Sequence, residues 1–158
     1  MSEPVIINEA AAHKKFAADC FNKIWTLFEK TNRTQDENEL MIHLAHTSLY
    51  HWLQVGTPVN EQRGEWMLAR VYTVLGDYFK SLHHAKRCLA LTEKHQLKDF
   101  DLAYGYEAMA RAYALNQMPV ECKKYLKLAR KAGTRIANKE DREVFMNDLS
   151  SEPWFGEK

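Results

Sequence analysis

The sequence predicts an all-α chain of about seven helices, and three observations carry that reading. Apolar residues recur at spacings of three and four, while strict alternation is sustained nowhere. Residues that stop and start helices cluster at regular breaks. A short motif also repeats: Leu68-Ala69-Arg70-Val71-Tyr72 is echoed 41 residues later by Met109-Ala110-Arg111-Ala112-Tyr113, each on the first helix of a pair.

The elements follow in order. Asn8 precedes a first helix from Glu9 to Lys30, with Phe16, Cys20, Ile24, Leu27 and Phe28 on one face. Thr34 and Glu37 have the capping-box spacing, hydroxyl to one orphan N–H and carboxylate back to the other, and open a second helix running to about Val55. Gly56-Thr57-Pro58 reads as a stop, a cap and a proline at the first helical position, where its missing donor costs nothing. Helix three then runs to Leu75, and Gly76-Asp77 ends it and starts helix four, which carries Phe79, Leu82, Ala85 and Leu89 on one face. Asp99 is the expected cap of helix five, with Leu102, Tyr106, Met109 and Tyr113 at helical spacing, and Pro119 opens helix six. Gly133 sits near the end of helix six, Asn138 with Asp141 caps a short seventh helix, and Pro153 ends it. Trp154-Phe155 is left either to dock on the core or to fray. Small residues on the second helices (Ser81, Ala85 and Cys88, then Cys122 and Ala129) suit close helix crossings.

Composition excludes several classes of function. A chain of 158 residues, 46% hydrophobic and 27% charged, buries a full core as one domain, and six Gly with four Pro leave no long disordered or collagen-like segment. The formal charge of +1, from 22 basic and 21 acidic residues, gives no global attraction to nucleic acid or to an anionic membrane. Cys20, Cys88 and Cys122 are odd in number and form no ligand-spaced pair, so no disulfide framework is expected. Met1 to Ala12 has no secretion-leader pattern and no window is apolar enough for a membrane helix, so a reduced, cytoplasmic location is expected.

The stretch Trp66-Met67-Leu68-Ala69-Arg70-Val71-Tyr72-Thr73-Val74-Leu75-Gly76-Asp77-Tyr78, followed by Cys88-Leu89-Ala90-Leu91, resembles a tetratricopeptide repeat: its first helix, its Gly-Asp-Tyr turn and the end of its second helix. The unit from Asp101 to Ala132 departs from the pattern where Gln117-Met118-Pro119 replaces that turn, and helices one and two form a degenerate unit. The 41-residue spacing is similar to the long-helix variety found in bacterial regulators and adaptors. The resemblance implies a right-handed stack of antiparallel helix pairs, about 8–55, 58–95 and 99–137, with a capping helix at about 139–150. It also implies a non-enzymatic module that binds a protein or peptide on its concave face, without cofactor, with self-association open. Its groove positions fall on Arg63, Trp66, Arg70 and Thr73, on Tyr104, Glu107, Arg111 and Ala114, and on Trp25 and Glu29. Arg70 and Arg111 suit a carboxylate, and Trp66 and Tyr104 offer flat apolar area. Capture of a partner is then expected to be sensitive to Arg70→Glu and Arg111→Glu. The plainer expectation pairs Glu107 with Arg111 as a surface ion pair and places the aromatic residues in the core.

Two further patterns stand apart. His43, His46 and His51 on helix two give the alternative, a metal or small-ligand site, but His51 is turned away from the other two and helical zinc spacing is absent; buried, hydrogen-bonded histidines are the plainer reading. Lys123, Lys124, Lys127, Arg130, Lys131 and Arg135 occupy half of helix six. Without interleaved aromatic residues, and with Glu140, Asp141, Glu143 and Asp148 following, they read as a solvated face rather than a nucleic-acid track. No nucleophile elbow, phosphate loop or H-E-x-x-H motif is present.

Overall fold

Local capping chemistry sets the helix starts. Asn8 accepts the Ala11 N–H, Thr34 and Glu37 form the reciprocal box, Asp77 accepts the Lys80 N–H and Asn138 accepts that of Asp141. The computed structural model describes residues 7–157; Met1 to Ile6, part of the stretch read for a leader, and Lys158 lie outside them. The described residues form α1 (Glu9–Phe28), α2 (Gln35–Val55), α3 (Pro58–Val74), α4 (Tyr78–Lys94), α5 (Phe100–Leu115), α6 (Pro119–Gly133) and α7 (Lys139–Ser150), with no strand among them. Among the described residues no helix is long and apolar enough to cross a membrane.

The ends of α3 and α5 turn alike despite different sequences. Gly76 takes a left-handed conformation (φ 79°), and the Asp77 N–H reaches back to the Tyr72 carbonyl at 2.9 Å, closing α3. Gln117 stands in the same conformation (φ 52°), with the Met118 N–H on the Tyr113 carbonyl at 3.0 Å. The Gln117-Met118-Pro119 segment thus makes the Gly-Asp-Tyr turn with a side chain in the place glycine favours. Asp99 takes its expected place with a different partner. It occupies the cap position of α5, but its carboxylate accepts the Ala137 N–H instead, tying the α4–α5 and α6–α7 connections together.

The helices pack as consecutive pairs, α1 with α2, α3 with α4 and α5 with α6. The pairs join through α2–α3, α4–α5 and a direct α3–α5 contact, and α7 lies on α5 and α6. The small residues Ser81, Ala85, Cys88, Cys122 and Ala129 are fully buried at these crossings. On α4 that stripe, continued by Thr92, faces inward, so Phe79, two residues from Ser81, is 83% exposed and is not part of the expected apolar face. On α1, Ala17, Ile24 and Leu27 take the core positions and Phe16 is left half-exposed against the His51 ring. Gly133 is the last residue of α6, and a side chain there is excluded because its Cβ would come within 2.4 Å of the Phe145 ring. All three cysteines are free.

Candidate functional site

Helical spacing puts Trp66 and Arg70 on one face of α3, and Tyr104, Glu107 and Arg111 on one face of α5, and the α3–α5 contact brings the two faces together. Glu107, fully buried, is the hub. One carboxylate oxygen accepts from Arg70 Nη1 at 2.8 Å and from Arg111 Nε, and the other accepts from Trp66 Nε1 at 2.8 Å. Burial alone would raise the Glu107 carboxyl, but the Arg111 and Arg70 charges and the indole hydrogen bond outweigh it and hold the group below the usual carboxylate value. Burial lowers Arg111, against the pull of Glu107. The tyrosine ring of Tyr104 packs edge-on against Trp66, and burial, then the nearby Asp148 and Glu107 charges, push its phenol far up.

The C-terminal segment occupies part of this face. Arg111 donates to the backbone carbonyls of Asp148 (2.7 Å), Ser151 (3.1 Å) and Pro153 (2.9 Å), and its guanidinium lies 4.2 Å over the Trp154 ring. Trp154 is fully buried, with its indole N–H on the Leu149 carbonyl, so the tail docks rather than frays. Arg70 Nη2 meets Asp148 at 3.2 Å. Arg70, Glu107 and Arg111 are therefore joined in one buried network with the tail, in place of a surface ion pair. Thr73 and Ala114 are buried as well, Thr73 on the Ser81 hydroxyl. The substitutions Arg70→Glu and Arg111→Glu would unseat the tail, so they report on folding before they report on a partner.

An open channel remains beside this network. One part of it is a cleft of about 300 Å³ between α1 (Phe21, Trp25), α3 (Gln62, Arg63, Trp66), α5 (Phe100, Asp101, Tyr104) and α7 (Val144, Asp148). Trp25, 38% exposed, stacks on Trp66 at 6.0 Å, and Phe100 packs on Tyr104 at 4.7 Å. Arg63 is exposed at the rim, bidentate to Asp101 at 2.8 and 3.3 Å and lying over the Phe100 ring. In the wall, Gln62 donates to Thr92 and to the Asp101 carbonyl, while its buried Oε1 accepts no hydrogen bond. Past Trp25 and Asp148 the channel continues as a second cavity of about 430 Å³, bordered by Phe28, Glu29, Arg70, Val74, Ser151, Glu152 and Pro153. Of the residues that sequence reasoning missed, Phe100 and Asp101 carried a signal, lying one turn from Tyr104 on its own helix. Asp148, far along the chain, carried none.

The histidines do not assemble as a trio. His46 Nε2 lies 3.0 Å from the Tyr72 hydroxyl, His51 Nδ1 lies 2.7 Å from His13 Nδ1, and His43 is exposed. Among the described residues no group of three or more His, Cys, Asp or Glu side chains is placed to hold a metal ion. His84 instead meets buried Glu65 at 2.6 Å, beside Arg87 on the other carboxylate oxygen. Partial burial, then the neighbouring His84 charge, lower His46 below the usual histidine value.

Comparison with family models, with curated proteins and with solved structures finds no match to this chain.

Proposed function

We propose that the chain is a helical-repeat binding module that holds an extended peptide in the channel between α1 and α7. The observation that carries this reading is the aromatic cleft, left open where α1, α3, α5 and α7 meet. Pockets of this size with aromatic walls and a few polar groups at the rim hold large apolar side chains well. The repeat resemblance supports the same face. The farther cavity supplies Glu29, Asp148 and Glu152 against the single cation Arg70, so the peptide that fits places an aromatic or large apolar residue in the cleft and a Lys or Arg beyond it. From Phe21 to Glu29 the α1 wall rises about 12 Å, which spans about four residues of extended chain. No catalytic constellation is assigned to the channel.

The test is selection from a displayed random-peptide library on the immobilised chain, followed by titration of the enriched peptides. Peptides sharing a large apolar residue and a basic residue within about four positions are expected. Trp25→Ala should weaken them by about tenfold or more, and Glu29→Lys should weaken the basic ones selectively. Trp25 is partly exposed on α1, so its loss leaves the buried network in place. Absence of an enriched motif, or peptides indifferent to Trp25→Ala, would overturn the proposal.

A further inference from the structure

On the other side of α5 lies a second cleft, about 540 Å³, in which the turn after α4 meets the end of α6. Lys98, Lys131 and Arg135 converge on it from two separate stretches of chain, and Leu102, Tyr106 and Leu128 form its apolar wall. Among the described residues none of the three cations enters an ion pair. None of the acids of α7 pairs with them: Glu143 pairs with Lys139, Asp148 pairs with Arg70, and Glu140 and Asp141 lie in no ion pair among the described residues. The one carboxylate in the cleft, Asp99, is engaged by the Ala137 N–H, so the lining carries a net charge of +2, three cations less one carboxylate. Asp99 holds this joint with a backbone that residues other than glycine rarely adopt (φ 60°, ψ −126°), which fixes Lys98 opposite Arg135 across the two connections.

We infer that this cleft binds an organic phosphate, its phosphate on Lys98, Lys131 and Arg135 and its ring or apolar body against Tyr106 and the two leucines. Three unpaired cations around one concavity favour a multiply charged oxyanion, and Arg135 offers it a planar fork of donors. The tyrosine and leucine wall adds area that inorganic phosphate cannot use. The volume lies within the range that holds molecules of nucleotide size. A free mononucleotide and a nucleotide within a strand share this chemistry, and the test separates them.

The experiment is calorimetric titration of the full chain with AMP, adenosine, inorganic phosphate and a short single-stranded RNA, at physiological ionic strength. AMP is expected to bind about tenfold tighter than either adenosine or phosphate, because each of these lacks one half of the recognised molecule. Lys131→Glu/Arg135→Glu and, separately, Lys98→Glu should each weaken AMP by about tenfold or more. Lys123→Glu/Lys124→Glu, on the same basic stripe but about 10 Å farther along α6, should leave it within about twofold, since that separation exceeds the screening length. All these side chains are exposed, and circular dichroism verifies the fold. RNA binding no tighter per site than AMP, with the same variant pattern, identifies the free nucleotide as the ligand. Lack of saturable AMP binding would overturn the inference. So would equal loss in the Lys123/Lys124 variant, or RNA binding that outstrips AMP and depends on the whole stripe.

Discussion

At the residue scale, Glu107 decides the most. Its carboxylate is shared by two guanidiniums and an indole, and without it Arg70 and Arg111 would be buried cations facing each other. Glu107→Gln keeps the shape and removes the charge, and it is expected to cost about 3–5 kcal/mol, the usual effect of breaking a buried pair from one side. Urea denaturation measures it. The same group sets a pH dependence. Because its folded-state value lies below the ordinary 4.5, the unfolded chain binds more protons as the medium is acidified. The stability it contributes is fully present above about pH 5 and is lost as pH falls through 4.5 and below. Denaturation midpoints measured from pH 7 down to pH 3 should fall for the parent and fall less steeply for Glu107→Gln. A steep decline that survives in the variant would assign the acid sensitivity to another carboxylate, of which Glu65, held low by His84 and Arg87 against its burial, is the first to examine.

At the element scale, the three turns after α3, α4 and α5 are built alike, with Gly76, Gln96 and Gln117 in the left-handed conformation and a hydrogen bond reaching back over the last turn. Only glycine adopts that conformation without cost. Gln117→Gly is therefore expected to stabilise the chain by about 0.5–1 kcal/mol, the relief of the left-handed side chain less the added freedom of glycine when unfolded. Gly76→Ala should destabilise by about 1 kcal/mol through the backbone alone, since a Cβ there meets no atom within 4 Å. Thermal unfolding of the two variants checks both signs. Helix starts were legible because they rest on contacts three residues apart, as at Thr34–Glu37 and Asn138–Asp141. Asp99 stands at the cap of α5 as its spacing predicts, but its carboxylate serves the Ala137 N–H, 38 residues away, a partner that local spacing does not reveal.

At the scale of the whole molecule, the C-terminal segment acts as a fixed part of the face that α3 and α5 share. Trp154 fills the space under Arg111, and the Asp148–Pro153 carbonyls satisfy guanidinium donors that would otherwise be buried without partners. Trp154→Ala is expected to cost about 3–5 kcal/mol and to release the tail. Helix pairs that contact only their neighbours lose stability locally. Hydrogen exchange should accordingly rise in α5, α6 and α7 before it rises in α1 and α2. Uniform acceleration along the chain would show instead that the seven helices unfold as one unit.

Helix number and helix boundaries, to within about two residues, were determined by the sequence alone, because caps, prolines and the 3.6-residue period act within one or two turns. Trp66 with Arg70, and Glu107 with Arg111, were legible as neighbours for that reason. Whether that face would be open or covered was decided only by the tertiary structure. Periodicity gives the direction of a side chain around its own helix, whereas burial depends on what another part of the chain places against it. Asp148 and the Ser151–Trp154 tail close over one half of the face through bonds spanning 37 to 42 residues, and Trp25 and Phe21 leave the other half open.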